Sequence, residues 1–491
     1  MSAPTPGAAE GRPVRVRIAP SPTGLPHIGT FRTFLFNWLF ARGRGGKFVI
    51  RIEDTDRERL VPGAVEALLD AVRWFGLDWD EGPVVGGPYA PYEQSLRLPI
   101  YQRYVDQLLR EGKAYRCYCS VERLEELRRE QQARKEPPGY DRLCRRLTEA
   151  QRAERQASGA PFVVRFAVPL EGSTTFTDVI HGDVTWENRV LDDFVIVKSD
   201  GFPTYHLAHL VDDHVMEISH VLRGDEWISS TPRHVLLYEA LGWEPPVFAH
   251  LPAILGPDRK KLSKRHGPTG IAAFQEAGYL PEAMLNYLAL CGWSSGTDDE
   301  ILSLPDLVAR FTLDRVSRTG AIFDHAKLDW FNGIYIRALP PAELAARIRP
   351  FLGPDGASAD DAYLAAIAGL IQDRLRTLSE ARDLSSFFFA EALEYDPALL
   401  VRPGVTGDAT RAALARAAAL ARTVEPFTHD ALEPPYRALT EELGLKTSQL
   451  FMSIRVACTG RTATPPLFET MEVLGRDRVV QRLEDAASRV P

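Results

Sequence analysis

Cysteine is scarce in this chain, and long runs of apolar residues are missing. The 491 residues include five cysteines, an odd number that does not indicate a disulfide framework in a chain of this size. No stretch stays apolar over the roughly 20 residues that a membrane-spanning helix needs. Residues 1–12 lack the apolar core of a signal peptide, so we expect a flexible tail there, a cytoplasmic location and no membrane contact.

An excess of basic charge is also missing. The net charge of −8 excludes a uniformly basic surface, although local basic patches can still bind phosphate. The content of 45% hydrophobic and 25% charged residues is typical of a globular protein. A chain of this length is too long for a single core, so we expect several domains.

The pattern of the chain changes along its length. Strand and helix signals alternate through about the first 200 residues, which is typical of a parallel α/β sheet. Beyond about Leu339 the strand signals fade, and helical segments rich in Ala, Leu and Arg dominate. The sequence therefore predicts an α/β body with an insertion, followed by an all-helical region.

A turn near the N-terminus has the pattern of an anion site. The strand signal of residues 14–18 stops at Pro20, and a helix is predicted from about Phe31 to Arg42. The unpaired N–H groups at a helix N-terminus attract anions. His27 can touch a phosphate there, and Gly29 allows close approach to the backbone. The turn alone is equally compatible with an ordinary connection in which the histidine caps the helix.

A basic loop lies far downstream, over residues 256–267. Five Lys and Arg side chains are bounded by Gly and Pro, and such a loop can close on a polyphosphate. By itself the loop is also compatible with a solvated basic surface. Together with the histidine turn, it favours a phosphate site.

These two segments resemble the signature motifs of class I aminoacyl-tRNA synthetases. They read His-Ile-Gly-Thr over residues 27–30 and Lys-Leu-Ser-Lys-Arg over residues 261–265. The longer contexts RIAPSPTG, RTFLFNWLFAR, RIEDTD, FPTYHLA and VDDH resemble the bacterial glutamyl-tRNA synthetase family from about residue 13 to about residue 480. The chain departs from the general signatures at Thr30, Leu262 and Arg265, but it keeps both lysines.

The resemblance implies an α/β fold with a Rossmann-type parallel-sheet catalytic domain, an α+β insertion and all-helical C-terminal domains. The expected domains follow the flexible tail of residues 1–12: the catalytic domain at 13–97 and 196–225, an acceptor-binding insertion at 98–195, a stem-contact domain with the lysine loop at 226–335, and helical anticodon-binding domains at 336–491.

The activity that the resemblance implies is that of a glutamate–tRNA ligase. ATP and Mg²⁺ serve the activation of L-glutamate, and the glutamyl group then passes to the 3′ end of tRNA(Glu). A monomer is expected. Catalytic roles fall to His27, Lys261 and Lys264. The residues expected to bind ATP are His27, Gly29, Thr30, Glu226, Lys261, Lys264 and Arg265.

Three residues are expected to meet at the carboxyl edge of the sheet, where ligands bind. Arg17 lies near the end of the first strand, Tyr205 begins a helix, and Arg223 follows a strand predicted over residues 217–222. Taken singly, Arg17 is also compatible with a surface arginine and Tyr205 with a core aromatic residue. The resemblance assigns all three to the side-chain carboxylate of glutamate, which suits arginine forks and a hydroxyl donor.

The remaining roles also come from the resemblance. It assigns Ser21 and Glu53 to the backbone end of glutamate, with Glu53 facing the ammonium group, and it places His209 in the same pocket. Arg374 matches an arginine that reads the third anticodon base in some relatives, although an exposed helix arginine is an equal alternative. Whether the chain also charges tRNA(Gln) with glutamate is left open.

A C-x-C pair and a distant third cysteine suggest a metal site. Some relatives bind zinc here with a histidine at the position of Arg146, which cannot serve. A tRNA-modifying relative has an arrangement that Tyr140 fits. Two alternatives therefore stay open, buried free thiols and a structural zinc with the ligands Cys117, Cys119, Tyr140 and Cys144. Cys291 and Cys458 are expected in the core.

Three other functions are less compatible with the sequence. Glutaminyl-tRNA synthetases have β-barrel tails, whereas the tail here has helical periodicity. The tRNA-modifying relative lacks an anticodon-binding region, for which this chain has room. A catalytically inactive RNA-binding protein could lose His27 or Lys264, and both are present.

Overall fold

The computed structural model describes residues 12–491 and divides the chain into two compact units. The first unit comprises residues up to 273 together with 285–324, and the second comprises 274–284 and 325–491. Apart from Arg12, the predicted tail lies outside the described residues. Within the described part of the chain, no helix is both long and apolar enough to cross a membrane.

Strands are confined to the first two-thirds of the described residues. They are β1 (Arg15–Ile18), β2 (Lys47–Ile50), β3 (Ala114–Cys117), β4 (Val163–Phe166), β5 (Ser173–Asp178), β6 (Gly182–Glu187), β7 (Val195–Val197), β8 (His220–Gly224), β9 (Val247–Leu251), β10 (Ile254–Leu255) and β11 (Ala321–Ile322).

Helices occur throughout. Those up to residue 310 are α1 (Ile28–Arg42), α2 (Ala64–Trp74), α3 (Leu98–Arg110), α4 (Val121–Ala133), α5 (Glu149–Ala157), α6 (Tyr205–Val215), α7 (Thr231–Leu241), α8 (Ile271–Glu276), α9 (Pro281–Leu290) and α10 (Leu304–Arg310). The later ones are α11 (His325–Arg337), α12 (Pro341–Ile348), α13 (Gly353–Ala357), α14 (Asp361–Ile371), α15 (Ala381–Phe389), α16 (Gly407–Thr423), α17 (His429–Glu442), α18 (Thr447–Thr459), α19 (Leu467–Leu474) and α20 (Arg476–Arg489).

Parallel strand pairs form the centre of the first unit. β1 pairs with β2, and β8 pairs with β9. The starts of β1 and β8 meet where the Ser219 N–H donates to the Arg15 carbonyl at 2.9 Å. The carboxyl ends of these strands therefore face the same edge, which is where an open α/β sheet binds its ligands.

The inserted segment contributes to this sheet as well. β3, β4 and β7 form a separate antiparallel sheet, but β5 pairs with β9 in the order β6-β5-β9-β8. The β5–β6 hairpin alternates buried and exposed residues along β5, as expected for a strand with one covered face. One strand of the insertion is thus a neighbour of β9, which also pairs with β8.

The second unit is helical. Its core includes apolar side chains from α12 and from every helix between α14 and α20. Among them, four are fully buried: Leu364, Ala417, Tyr436 and Ile454. The predicted α/β body with an α+β insertion and a helical C-terminal region is confirmed. The predicted internal boundary at residues 335 and 336 falls inside α11, and the assignment of functions to the predicted domains stays a prediction.

One strand prediction was wrong in its limits. The strand expected at residues 217–222 begins only at His220, because Glu217 has a left-handed backbone with φ of 55°. It then continues through Gly224. Arg223 therefore lies within β8, one residue before its end.

Candidate active site

The histidine turn forms the N-terminus of α1. His27 is the residue that caps this helix: its Nδ1 accepts the Thr30 N–H at 3.3 Å, and its Nε2 lies 3.1 Å from the Thr30 hydroxyl. A Cβ on Gly29 would lie 3.1 Å from the His27 ring, so a side chain there would press on the imidazole. The capping and phosphate-site interpretations are thus compatible, because the cap holds the ring at the helix N-terminus.

A cavity of about 370 Å³ adjoins this turn. Its wall includes the whole turn from Pro20 to His27, together with Thr30. Ser21, which belongs to this wall, is exposed. Ile52 and the start of α2 form the other side. The cavity therefore lies beside the N-terminus of α1, where the positive end of the helix dipole favours an anion.

The segment that follows the lysine loop of residues 256–267 is hydrogen-bonded to the histidine turn. The Ile28 N–H donates to the Thr269 carbonyl at 2.9 Å, and the Ile271 N–H donates to the Pro26 carbonyl at 3.2 Å. These main-chain bonds hold the two signature segments together across more than 200 residues of sequence. The structure therefore brings together the two halves of the predicted phosphate site.

The charged side chains of the loop differ in their partners. Lys261 Nζ lies 3.7 Å from Glu226 Oε1, and Arg265 forms an ion pair of 3.0 Å with Asp258. Lys264 is exposed, and among residues 12–491 no carboxylate lies within ion-pair distance of it. The loss of water around His27 lowers its pKa, and the Lys261 ammonium lowers it further, against Glu226. His27 is therefore neutral beside the Lys261 ammonium group.

Arg223 occupies the centre of the predicted glutamate pocket. Its side chain is buried, with 5% exposed, and it donates to Tyr205 Oη at 3.1 Å, Thr231 Oγ1 at 2.8 Å and His250 Nε2 at 3.0 Å. His234 Nδ1 lies at 3.2 Å. All of these partners are neutral, and in the described part of the chain Arg223 has no carboxylate within ion-pair distance. A buried cation of this kind is costly unless an anion joins it.

Arg17 differs from Arg223 because it already has an anion. Its Nε and Nη2 donate to the two oxygens of Asp213 at 3.1 and 3.2 Å, and Arg51 donates to the same carboxylate at 2.7 Å. Burial alone would raise the pKa of Asp213, but the two guanidinium groups lower it well below its usual value. Arg17 is thus close to the pocket, with its charge largely neutralised.

Glu53 and His209 border the same region. Glu53 Oε1 accepts from Arg51 at 3.0 Å, and burial raises the pKa of Glu53 against the influence of Arg51 and Arg17. His209 stacks on the Tyr205 ring at 4.4 Å between centroids, with its Nε2 3.5 Å from Arg223. Burial lowers the pKa of His209 well below its usual value, so this imidazole is neutral.

Several side chains that contact Arg17 or Arg223, directly or through one residue, were not identified from the sequence. They are Asp213, His234, His250 and Asp178. One signal could have found Asp213: it follows Tyr205 and His209 at helical spacing, so the three share one face of α6. The others come from separate strands and helices and leave no comparable pattern.

The three predicted metal-site cysteines converge in the insertion. Their Sγ atoms lie within 4.8 Å of one another, and Cys119 Sγ is 3.5 Å from Cys144 Sγ. Tyr140 Oη lies 3.3 Å from Cys117 Sγ and 3.5 Å from Cys119 Sγ. Arg146, at the position of the histidine in some relatives, is exposed. Cys291 and Cys458 are buried, as expected.

Arg374 belongs to the second unit. It ends a short 3-10 turn after α14, and its side chain is exposed. Burial lowers the pKa of Arg455, and the nearby charge of Arg374 lowers it further. Two cations therefore lie close together at this point of the helical unit.

Two family models match the chain. The class I tRNA synthetase (E and Q) catalytic domain matches residues 13–330, and an anticodon-binding domain matches residues 343–487. The glutamate–tRNA ligase of Dehalococcoides mccartyi is 53% identical over 482 residues, covering 97% of this chain and 98% of its own length. That of Roseiflexus castenholzii is 51% identical over 494 residues, covering 98% of this chain and 97% of its own.

A solved structure gives the same result. The crystal structure of a glutamate tRNA ligase from Elizabethkingia meningosepticum in complex with its amino acid superposes with a TM-score of 0.91 at 35% identity. The match covers 98% of this chain and 100% of that chain. The chain therefore belongs to the glutamate–tRNA ligase family of class I aminoacyl-tRNA synthetases.

Proposed function

We propose that this chain activates L-glutamate with ATP and transfers the glutamyl group to tRNA(Glu), with Arg223 holding the side-chain carboxylate of glutamate. The observation that carries the assignment is the buried Arg223 guanidinium, surrounded by neutral imidazole and hydroxyl groups and without an ion-pair carboxylate in the described part of the chain. A glutamate carboxylate supplies the missing anion. Glutamine would leave the guanidinium uncompensated, at a cost of roughly 2–5 kcal/mol.

The other glutamate contacts follow from the same geometry. The single nitrogen of Arg17 that Asp213 does not engage, Nη1, is available to a ligand. The buried Glu53 carboxylate, whose pKa burial raises, gains a partner when the ligand ammonium approaches. Ser21 borders the cavity beside the turn, and His209 limits the pocket by stacking on Tyr205.

In the first step, an oxygen of the α-carboxylate of glutamate attacks the α-phosphorus of ATP, and pyrophosphate leaves. The ribose hydroxyl of the tRNA then attacks the carbonyl carbon of the adenylate, and AMP leaves. The first step needs alignment and charge stabilisation more than covalent help. His27, the Thr30 hydroxyl and the Gly29 N–H supply donors at the start of α1, and Lys261 and Lys264 supply cations.

The remaining ATP residues belong to the loop and its neighbour. Glu226 lies beside Lys261, so it orients that lysine. Arg265 reaches a phosphate only when its pair with Asp258 opens. Magnesium supplies charge at the phosphates and arrives with ATP, because this ion keeps much of its water and uses substrate oxygens as ligands.

The test compares the Michaelis constants for the two substrates. We expect Arg223→Ala to raise KM for glutamate by about a hundredfold, because a buried charge pair is lost, while KM for ATP changes by less than about threefold. Pyrophosphate exchange, run with glutamate and cognate tRNA, measures both constants. Arg73→Ala, which removes an arginine paired with Asp70 on the surface of α2, is the matched control. Equal losses for glutamate and ATP in the Arg223 variant would contradict the assignment.

We further propose a structural zinc held by Cys117, Cys119, Cys144 and Tyr140. Four ligand atoms around one tetrahedral zinc, with bonds of about 2.0–2.3 Å, are separated by roughly 3.3–3.8 Å. The separations of 3.3 Å between Cys117 Sγ and Tyr140 Oη, and of 3.5 Å from Cys119 Sγ to Tyr140 Oη and to Cys144 Sγ, fall in this range. Thiolates also suit zinc chemically, and a tyrosine oxygen completes the set.

Metal analysis of protein purified without chelator tests this proposal. We expect about one zinc ion per chain in the unaltered protein and a loss of that zinc in Cys144→Ala. Cys291→Ala, which removes a buried cysteine outside the cluster, should retain the metal. A zinc-free protein whose cysteines titrate as thiols after unfolding would favour the alternative of buried thiols. The expectations of a monomer and of the individual domain roles remain predictions.

A further inference from the structure

A chain of buried hydrogen bonds extends behind Arg223. His250 lies on β9 with its side chain fully buried, and its Nε2 is 3.0 Å from Arg223 Nε. On the other side of the ring, His250 Nδ1 is 2.7 Å from Asp178 Oδ2. Asp178 is also buried and belongs to β5, which comes from the inserted segment. Side chains from the three strands β5, β8 and β9 thus meet at the His250 imidazole.

The chemistry of Arg223 fixes the tautomer of His250. An arginine Nε–H can only donate, so the facing His250 Nε2 must be the unprotonated, accepting nitrogen. The proton then resides on Nδ1 and is donated to Asp178. The Asp178 carboxylate accepts three further N–H groups, from the backbones of Ile180, His181 and His250, each at 3.0 Å. These donors, with His250, lower the pKa of Asp178 although burial raises it.

The contact with His250 acts together with the other partners of Arg223 to fix the rotation of the guanidinium. Nη2 is held by Thr231 Oγ1 and His234 Nδ1, and Nη1 contacts Tyr205 Oη. Nε has His250 as its acceptor. Because a guanidinium is a rigid plane, fixing Nε and Nη2 on one edge determines where Nη1 points.

We propose that His250 and Asp178 form a positioning pair that sets the orientation of Arg223 toward the ligand carboxylate. This inference rests on the proposed role of Arg223 in binding glutamate. Asp178 holds the Nδ1–H tautomer of His250, and the His250 lone pair anchors Arg223 Nε. Neither residue touches the reacting atoms, so both act through Arg223. Loss of the anchor allows the guanidinium to turn, and a misplacement of about 1 Å can cost about a hundredfold.

Two His250 variants separate positioning from general support of the fold. His250→Leu removes the acceptor, and we expect KM for glutamate to rise about ten- to a hundredfold with KM for ATP changed by less than about threefold. His250→Gln places an amide oxygen near the position of Nε2, and it should restore KM for glutamate to within about threefold. His220→Gln, in a neighbouring strand and without contact to Arg223, is the matched control.

The outcomes also separate this inference from the proposed function. If Arg223→Ala leaves KM for glutamate unchanged, the role of Arg223 itself is wrong. If Arg223→Ala raises that constant but His250→Leu does not, or if His250→Gln is as impaired as His250→Leu, the positioning role alone is overturned. Parallel changes in the constants for glutamate and ATP would likewise show that His250 only supports the fold.

A measurement on the unaltered protein covers the case in which His250→Leu fails to fold. Protein labelled with ¹⁵N at histidine, with the His250 signals assigned by their loss in His250→Gln, reports which ring nitrogen carries the proton. We expect the Nδ1–H tautomer at neutral pH. An Nε2–H tautomer or an imidazolium at His250 would overturn the inference, because neither can accept from Arg223.

Discussion

Buried arginines in the first unit differ in what neutralises them. Arg17 and Arg51 share the Asp213 carboxylate, and Arg97 donates to Asp212. Arg32 differs, because its two terminal nitrogens donate to the main-chain carbonyls of Cys291 and Pro252. The side-chain contacts of Arg223 are to imidazoles and hydroxyls instead. Arg17, Arg51 and Arg97 thus stabilise the fold through buried ion pairs, whereas the lack of a carboxylate partner at Arg223 in the described residues agrees with its proposed role in binding a ligand carboxylate.

The Asp213 carboxylate shared by Arg17 and Arg51 provides a prediction about stability. Asp213→Asn leaves Arg17 and Arg51 without their shared anion in the interior, and we expect a loss of about 3–5 kcal/mol in the free energy of unfolding at pH 7. Urea titration followed by tryptophan fluorescence measures this loss. Seven of the eight tryptophans lie in the first unit, so the signal reports mainly on that unit.

The pH dependence of this loss follows from the depressed pKa of Asp213. A carboxyl whose pKa is lower in the folded state stabilises the fold above its unfolded pKa, which is about 4, and that stabilisation disappears as pH falls through the folded pKa. The difference between Asp213→Asn and the unaltered protein should therefore be constant from about pH 5 to pH 8 and shrink below about pH 4. Asp70→Asn, which breaks an exposed pair with Arg73 in the same unit, should change stability by less than about 0.5 kcal/mol at any pH. A difference that grows in acid would contradict the assignment.

Sequence reasoning could identify Arg17, Tyr205 and Arg223 as candidate site residues. It could not tell which of the two arginines is already paired with a carboxylate. Strand ends and a helix start placed all three at one edge of the sheet. The pairing of Arg17 with Asp213 spans 196 positions, and no local pattern tells whether an acidic helix residue meets an arginine or water. The distinction between a neutralised and an available arginine therefore needs the tertiary structure.

At the scale of single elements, α1 combines a structural and a chemical role in one residue. The helix was predicted from about Phe31 but begins at Ile28, with His27 as its cap. Histidine is not among the residues that usually cap helices, which are Ser, Thr, Asp and Asn, so sequence rules set the start too late. The cap places the imidazole at the positive end of the helix.

Two substitutions at His27 separate these roles. Asparagine is a favoured cap, so His27→Asn should keep the free energy of unfolding within about 0.5 kcal/mol, whereas His27→Ala should lower it by about 1 kcal/mol. Both variants should reduce the rate of adenylate formation by about a hundredfold or more, because each removes the donor at the phosphates. Pyrophosphate exchange and urea titration measure the two effects.

A cap elsewhere in the same unit provides the control. Ser303 caps α10 through its contact with the Asp306 N–H, so Ser303→Ala should lower stability by about 1 kcal/mol without lowering the exchange rate. If His27→Asn restores activity as well as stability, the imidazole is only a cap.

The β5–β6 hairpin is one of the elements that sequence reasoning missed. An α+β insertion was expected, but the pairing of β5 with β9 joins residues about 70 positions apart. Strand signals do not specify a distant partner, because pairing depends on which edge the completed sheet leaves open. The position of Asp178 behind Arg223 was therefore not predictable.

At the scale of the whole molecule, the two units carry different chemistry. The first contains the residues proposed to bind phosphate and glutamate, and the second is helical, as the loss of strand signals beyond residue 339 predicted. The change of composition is visible because a sheet and a helical bundle require different periodicities. The boundary between the units is not visible, since residues 274–284 belong to the second unit although they precede residues of the first.

The helical unit provides the last prediction, at Arg374. In the described residues its exposed side chain has no carboxylate within ion-pair distance, whereas the neighbouring Arg376 is paired with Glu380 at 2.6 Å. An available guanidinium can form two hydrogen bonds to a base edge, and such a contact contributes about 1–3 kcal/mol of discrimination. We expect Arg374→Gln to raise KM for tRNA(Glu) about tenfold, with KM for glutamate and ATP nearly unchanged, because those substrates bind in the other unit.

The choice between tRNA substrates sharpens this test. tRNA(Glu) and tRNA(Gln) differ at the third anticodon base, so loss of a base-reading arginine should narrow the ratio of kcat/KM between them, whatever that ratio is in the unaltered protein. Arg376→Gln removes the same charge from a side chain already engaged by Glu380, and it should leave the ratio unchanged. Equal effects of the two substitutions would mean that Arg374 contributes only general positive charge. A contribution from general charge would weaken at higher salt to the same extent for both tRNAs. A contact that reads the base would instead keep the preference for one tRNA over the other at higher salt.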